Sequence, residues 1–383
     1  MTHIHLLQIL YAGAFALPAA LSYFLTFPAI LASQKFNCLD YPESRKMHLR
    51  PMPFLGGAAI FTSFWISVAA SFFVVSVFHQ EGIYLNILHG FFESIPRASV
   101  RIFWVFVGAC VIWGLGFLDD KFFWTPFQKI SGQVIAALIL WRLGITINLA
   151  PGFGWLGEIG TFVWILLMIN AFNLIDSLDG HCTGVAVISC MTFYWITQIV
   201  YQPAVSFFII IFAGALFGFL PHNYKPAKIF LGDNGSLFIG YMMAAFTLLC
   251  RFDNPTVSYA TFFVPVMVFG VPLYDTVSVS VVRILRGIPP WKGDRNHFAY
   301  RLVKIGMADN IAVIFSYLTS VTLGIVAILM TQVNVFGAYL VALLYFSIIA
   351  VIAFLEFYAV QTIGRMQALK DIADERQEKR SKK

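Results

Sequence analysis

The stretch TFVWILLMINAFNLIDSLDG, residues 161–180, decides the class of this chain. Its first half is apolar, with no alternation of polar and apolar positions. A strand of a membrane barrel alternates. This run does not, so it reads as a helix crossing a bilayer, the other element that satisfies its own backbone in lipid. Its second half places Asn170, Asn173, Asp176 and Asp179 three residues apart. Each neighbouring pair shares a helix face, and the stripe turns slowly around the axis. All four carry oxygen donors, which suit a hard cation. An isolated charge in hydrocarbon costs roughly 2.5–3.5 kcal/mol or more, so carboxylates gathered at the end of an apolar run imply a cation, a phosphate or both.

The pattern extends outward from there. Of 383 residues, 59% are hydrophobic and only 11% charged, and mean hydropathy is +0.80. A water-soluble protein needs far more polar surface. Apolar runs long enough to cross the bilayer fall at about 8–33, 55–78, 102–118, 130–144, 159–173, 183–200, 204–221, 235–251, 258–283, 309–331 and 336–358. The expected fold is therefore an all-α integral membrane protein, a polytopic bundle of about eleven transmembrane helices. The first run is too long, and lacks the basic start, for a cleaved signal peptide. With the amino terminus outside, all but Arg97, Arg101, Arg142 and Arg251 of the 25 Lys and Arg fall inside, and so does the carboxyl terminus. The net charge of +6 follows from this bias and from a basic tail near anionic lipid, not from nucleic-acid binding. Residues 1–360 read as one domain, and residues 361–383 as a basic cytoplasmic tail, either a surface helix or disordered. The cysteines show no metal-site spacing.

The inner loops are rich in polar, Gly and Pro residues, whereas the outer ones are plain. The first carries Arg45, Lys46, His48 and Arg50, a set that suits either phosphate or a positive-inside anchor. The second carries Asp119-Asp120 at a helix carboxyl end, against the dipole, with Lys121 and Lys129 close by. The fourth runs from His222 through Asn223, Lys225 and Lys228 to Gly232-Asp233-Asn234-Gly235-Ser236, where a new helix directs free N–H groups at the turn. The last contains Asp294-Arg295-Asn296-His297, then Tyr300-Arg301, and arginine forks suit diphosphate oxygens. Acids, cations and Gly turns on one face point to Mg²⁺-assisted chemistry on a diphosphate, and the bilayer makes a lipid the second substrate. A transporter would set its polar groups near the midplane, where this chain has few.

The strings RKMHLRPMPFLGG, GFLDDKF, NAFNLIDSLDG, PAKIFLGDNGS and DRNHFAYRL, in this order, resemble the polyprenyl-phosphate N-acetylhexosamine-1-phosphate transferases over residues 40–302. That membrane family, glycosyltransferase family 4, moves a sugar phosphate from a UDP-sugar to a lipid phosphate and releases UMP. The branch using UDP-N-acetylglucosamine is the nearer, because the three consecutive histidines typical of the UDP-muramoyl-pentapeptide branch are absent. The nearer branch usually carries His-x-His-His; here His297-Phe298-Ala299-Tyr300 keeps only the first.

The resemblance implies Mg²⁺, with Mn²⁺ as a substitute, held by Asn173 and Asp233 on the donor diphosphate. It places Asp119 and Asp120 beside the lipid phosphate, one of them deprotonating or positioning it, with Asp176 supporting the metal. Asp179 and Asn223 would contact the nucleotide and Ser236 the substrate. Lys46, His48 and Lys129 would neutralise phosphate, and Arg295, His297 and Arg301 would close over the sugar diphosphate. The implied partners are a UDP-N-acetylhexosamine, undecaprenyl phosphate and membrane lipid, with no nucleic acid. A homodimer is left open. The implied location is a bacterial inner (plasma) membrane with the active site on the cytoplasmic face, serving lipopolysaccharide or cell-wall polymer synthesis. The same reaction with UDP-MurNAc-pentapeptide, or a cation-coupled transporter, are the competing readings.

Overall fold

The computed structural model describes residues 3–42, 50–80, 89–122, 124–147, 154–250, 262–289 and 296–381. The order of elements is α1 (His3–Lys35), β1 (Leu39–Asp40), β2 (Met52–Pro53), α2 (Gly56–Gln80), α3 (His89–Phe122), α4 (Pro126–Arg142), α5 (Gly154–Ile175), α6 (His181–Ile199), α7 (Pro203–Asn223), α8 (Asp233–Leu249), α9 (Val264–Val268), α10 (Gly270–Leu285), α11 (Phe298–Lys304), α12 (Asp309–Met330) and α13 (Val335–Ser381). The fold is an all-α polytopic bundle. The strands β1 and β2 form one antiparallel pair of two residues each, which closes the base of the first loop.

Among the described residues, eight helices are long and apolar enough to cross a membrane, not eleven: α1, α2, α3, α5, α6, α7, α12 and α13. The runs expected at 130–144 and 235–251 are α4 and α8, each 17 residues. At 1.5 Å per residue, about 26 Å, they are shorter than every one of the eight. The run expected at 258–283 is broken at Phe269 (φ −89°, ψ 24°) into α9 and α10, and its start lies outside the described residues. The apolar run alone cannot report such breaks, because a core helix and a membrane span are equally apolar. α8 is the core case, buried over nearly its whole length from Asn234 to Thr247. The last helix, α13, continues through residue 361 to Ser381 without interruption.

α8 is the axis of the bundle. α3 and α5 flank it, while α7 packs between α1 and α6. Close approach at its start depends on glycine. A Cβ on Gly57 of α2 would strike Asn234 and Gly235, and one on Gly116 of α3 would strike the backbone of Asp233 and Asn234. Higher up, Tyr241 Oη donates to the Val105 carbonyl at 3.3 Å, and aromatic rings from Phe61 and Phe212 meet Phe238 at centroid distances of 5.1 and 5.6 Å. Two helices, α2 and α3, thus pack closely against the start of α8 at Asp233–Gly235.

Candidate active site

α8 begins after Gly232, whose backbone (φ 74°, ψ 167°) lies in a region only glycine adopts readily. The approaching strand of chain is sewn to the end of the first loop. Phe230 N–H donates to the Pro53 carbonyl at 2.8 Å, Gly56 N–H to Phe230 at 3.1 Å and Gly57 N–H to Leu231 at 2.9 Å. The expected cradle of free N–H groups is not present. Asp120 reaches across from α3 and takes them: Oδ1 accepts from Asp233 N–H at 2.9 Å, and Oδ2 from Asn234 N–H at 3.1 Å and Asn234 Nδ2 at 2.7 Å. Helix N-termini attract anions, and here the chain supplies its own. Asp120 therefore anchors α8 to α3.

Its neighbour Asp119 does something different. Oδ1 accepts the Trp124 N–H at 2.8 Å, and Oδ2 forms an ion pair with Lys129 Nζ. Lys129 stands in the first turn of α4, which starts where it does because Thr125 and Gln128 form a reciprocal capping box ahead of Pro126. The same ammonium lies 3.0 Å from Asp233 Oδ2. Asp233 Oδ1 accepts from Asn173 Nδ2 at 2.8 Å, and that amide also donates to Ser236 Oγ at 2.9 Å. Residues from α3, α4, α5 and α8 thus meet around a single ammonium.

The polar stripe of α5 divides by direction. Asn170 turns away into a buried exchange with Gln133 of α4, at 2.8 and 3.4 Å. Asn173 meets Asp233, while Asp176 and Asp179 line a cavity of about 720 Å³ together with Asp119, Asp120, Lys129, Asn223 and Asp233. Asp179 Oδ2 also accepts from Ala227 N–H at 3.1 Å. Asn223 is buried, accepting from Thr183 Oγ1 at 3.0 Å and donating to the Ile229 carbonyl at 3.1 Å. Trp124, Tyr300, Lys225 and Asp309 complete the wall, the last two as an ion pair. A cavity of this size suits a small organic ligand.

Charge in the cavity is unevenly matched. Burial, then Asp233 and Asp179, push the Asp176 carboxyl up to about 8. Asp233 is pushed up by burial, but its hydrogen bond with Asp119 and the contacts with Lys129 and Asn173 outweigh that and leave it below the usual carboxylate range. Burial works against the Lys129 ammonium, yet Asp233 and Asp119 more than offset it, so its titration moves up.

Among the described residues, no group of three or more His, Cys, Asp or Glu is gathered tightly enough to enclose a metal ion. Mg²⁺ rarely uses such a cage; it is held by one or two carboxylates and the substrate's own phosphates. The set here fits that pattern. Asp119 and Asp233 already share one cation, the Lys129 ammonium, and Asn173 needs only to turn its amide to offer oxygen.

The last segment lies apart from this cluster. Lys46, His48 and Arg295 fall outside the described residues. His297 Nδ1 is 2.9 Å from Oδ2 of Asp275, a buried acid on α10, whose Oδ1 accepts the Phe298 N–H. Arg301 is buried against Glu356 of α13 through Nε, and its Nη2 lies 3.3 Å from the other carboxylate oxygen. Tyr274 donates to Glu356 at 2.6 Å, and Arg301 also donates to Ser278 at 2.6 Å. Neither His297 nor Arg301 lines the cavity; Tyr300 does. Asp275 and Glu356 escaped the reading of the loops because each sits inside an apolar run. That position was itself the available signal, since an ionisable residue at membrane depth needs a reason.

Residues 102–251 match the model of the family described as Glycosyl transferase family 4. Among similar proteins, a probable undecaprenyl-phosphate N-acetylglucosaminyl 1-phosphate transferase of Bacillus subtilis (strain 168) is 30% identical over 336 residues, 86% of this chain and 85% of that protein. A decaprenyl-phosphate N-acetylglucosaminephosphotransferase of Mycobacterium tuberculosis is 30% identical, covering 78% of this chain and 77% of its own length. A phospho-N-acetylmuramoyl-pentapeptide-transferase of Limosilactobacillus reuteri is 37% identical over 168 residues, but these make up only 39% of this chain and 52% of that protein.

Proposed function

This chain belongs to glycosyl transferase family 4 and is homologous to the polyprenyl-phosphate N-acetylhexosamine-1-phosphate transferases; on that premise we propose that it transfers N-acetylglucosamine 1-phosphate from UDP-N-acetylglucosamine to undecaprenyl phosphate, releasing UMP. The observation that carries this reading is the meeting of Asp119, Lys129 and Asp233 from three helices at one cavity, with Asn173 of a fourth helix hydrogen-bonded to Asp233. The choice of donor is supported by coverage. Similarity to N-acetylglucosamine transferases extends over most of both chains, whereas that to the pentapeptide transferase spans 39% of this one.

Phosphoryl transfer asks mainly for positioning and charge neutralisation. Asp233 and Asn173 would hold Mg²⁺ beside the donor diphosphate, with Asp176 next to them. The ion would supply neutralisation of charge on the phosphoryl oxygens. Lys129 is placed to exchange its carboxylate partners for phosphate when substrate enters. Asp119 is free to accept a proton from, or orient, the lipid phosphate once Lys129 turns away. Asp179 and Asn223, which line the same cavity, would take the nucleotide. A lipid-phosphate oxygen then attacks the phosphorus carrying the sugar, and UMP leaves. Asp120 serves this chemistry indirectly, by fixing the start of α8. The excess of Lys and Arg on the loops that form the cavity supports placing it on the cytoplasmic face, where nucleotide sugars are made, with the amino terminus outside.

Purified protein with Mg²⁺, undecaprenyl phosphate and a panel of UDP-sugars should release UMP fastest with UDP-N-acetylglucosamine. Preference for UDP-MurNAc-pentapeptide would overturn the donor assignment. Absence of UMP release with every donor would overturn the reaction.

A further inference from the structure

α7 and α12 both pack on α6 and not closely on each other. The gap between them is a groove of about 420 Å³, beside the cavity. Tyr317 of α12 lines it with its ring drawn inward. Its Oη donates to the Gly180 carbonyl at 2.5 Å, and the ring lies where a Cβ on Gly184 of α6 would strike it. Phe217 and Leu220 of α7 add apolar wall, and Phe217 is 49% exposed. The loop that follows α7 contributes Lys225 and Lys228, both exposed, and no acid lines the groove. Lys225 pairs with Asp309 on the cavity side, whereas Lys228 makes no ion pair among the described residues.

Depth and charge together select the occupant. Phe217 lies six residues before the end of α7 at Asn223, and Tyr317 eight residues after the start of α12 at Asp309. At 1.5 Å per residue, the groove runs from the helix ends to roughly 10 Å into the spans. A free phosphate ion would use the lysines alone. A lipid uses both parts, with phosphate at the level of the helix ends and acyl carbons on the rings below. The polyprenyl acceptor is a poorer match, because its phosphate must reach Lys129. That residue does not line the groove, and the two spaces share only Lys225 and Pro226.

We propose that the α7–α12 groove binds an anionic membrane phospholipid, its phosphate on Lys228 and Lys225 and an acyl chain along Phe217, Leu220 and Tyr317. The site is distinct from the acceptor's, and its occupancy does not depend on the transferase reading.

Native mass spectrometry of the full chain in detergent reads this directly, with dioleoyl phosphatidylglycerol and dioleoyl phosphatidylcholine as probes. The first phosphatidylglycerol should bind about tenfold or more tighter than phosphatidylcholine, since each lysine beside an anionic lipid is worth about a fivefold preference. Lys228→Met, which breaks no ion pair, should lose about fivefold of that preference. Combined with Lys225→Met, it should lose nearly all of it. The control pair Lys35→Met and Arg286→Met removes two exposed cations from other helix ends and should keep the preference. Equal binding of the two lipids, or equal losses in the two double variants, would overturn the site. So would displacement of phosphatidylglycerol by millimolar glycerol 3-phosphate, the mark of a free-phosphate site. Displacement by equimolar undecaprenyl phosphate would give the groove to the acceptor and overturn it equally. None of these readouts uses UMP release, so failure of either reading leaves the other decidable.

Discussion

Two charged clusters lie at the same end of the bundle and obey different rules. Around Lys129, the carboxylates of Asp119 and Asp233 compete for one ammonium, and Asp176 stands by with its proton retained. About 29% of the Lys129 side chain and 28% of Asp233 remain exposed. In the α10–α11–α13 cluster each of the two carboxylates has its own partner: Asp275 has His297 and Glu356 has Arg301, all buried. A mismatched, half-open cluster has room and charge for a ligand, while a matched, closed one joins chain segments to each other. The type of residue is the same in both. What separates function from anchoring is stoichiometry and access to solvent.

The sharpest way to break this comparison is Asp233→Asn. Loss of a group that neutralises transition-state charge should cost several kcal/mol, about a hundredfold or more in kcat. The melting temperature should fall only slightly, since the lost contacts with Lys129 and Asn173 are offset in part by relief of crowding among the carboxylates. A large drop in melting temperature with little loss of rate would put Asp233 among the anchors.

Glu356→Gln tests the opposite cluster. It leaves the Arg301 guanidinium buried without its countercharge, a change that typically costs 3–5 kcal/mol. Urea or thermal unfolding in detergent should show the loss, while rate per folded molecule at low temperature stays within a few-fold. Unchanged stability would mean that Arg301 is free to serve the cavity, as its sequence position suggested.

Gly116→Ala probes the frame that both clusters share. The added methyl would meet the backbone of Asp233 and Asn234. Forcing atoms into a filled site costs about 1–3 kcal/mol, and α8 would move with its Asp233. Stability and rate should fall together, unlike in either earlier variant. A loss of one alone would show that α3 and α8 are not rigidly coupled.

The smallest effect is a dependence on pH. Asp176 titrates at about 8 in the folded chain, above its ordinary value of 3.8. A raised folded value favours the protonated form. Its stabilising contribution is complete below 3.8 and lost as pH rises through about 8. A cation must displace that proton, so Mg²⁺ should raise the melting temperature more at pH 9 than at pH 6.5. An Mg²⁺ shift that is flat with pH would place Asp176 outside the ion's reach.

Legibility in the sequence follows from the range of the signal. Apolar runs and their polar ends are local, so the membrane class and the acids at the helix ends could be read directly. The division of the Asp119-Asp120 pair could not. Adjacent residues on a helix point about 100° apart, and only the placement of α8 shows that one takes the Lys129 ammonium while the other caps a neighbouring helix. The short helix α8 and the break at Phe269 were hidden for a related reason. Burial in protein and burial in lipid select the same side chains.

The amino-acid sequence by itself determined that this is a polytopic helical membrane protein carrying carboxylates, cations and glycine turns at helix ends, in the pattern of a sugar-phosphate transferase family. Hydropathy and spacing are properties of neighbours along the chain. Tertiary structure alone decided which of those charges meet, because the ion pairs join different helices, as Lys129 and Asp233 do across 104 residues of chain, and a charge's role depends on how many partners it has and how much water it sees. That is why Asp233 and Arg301, equally prominent in the sequence, come to rest in a cavity and in an anchor.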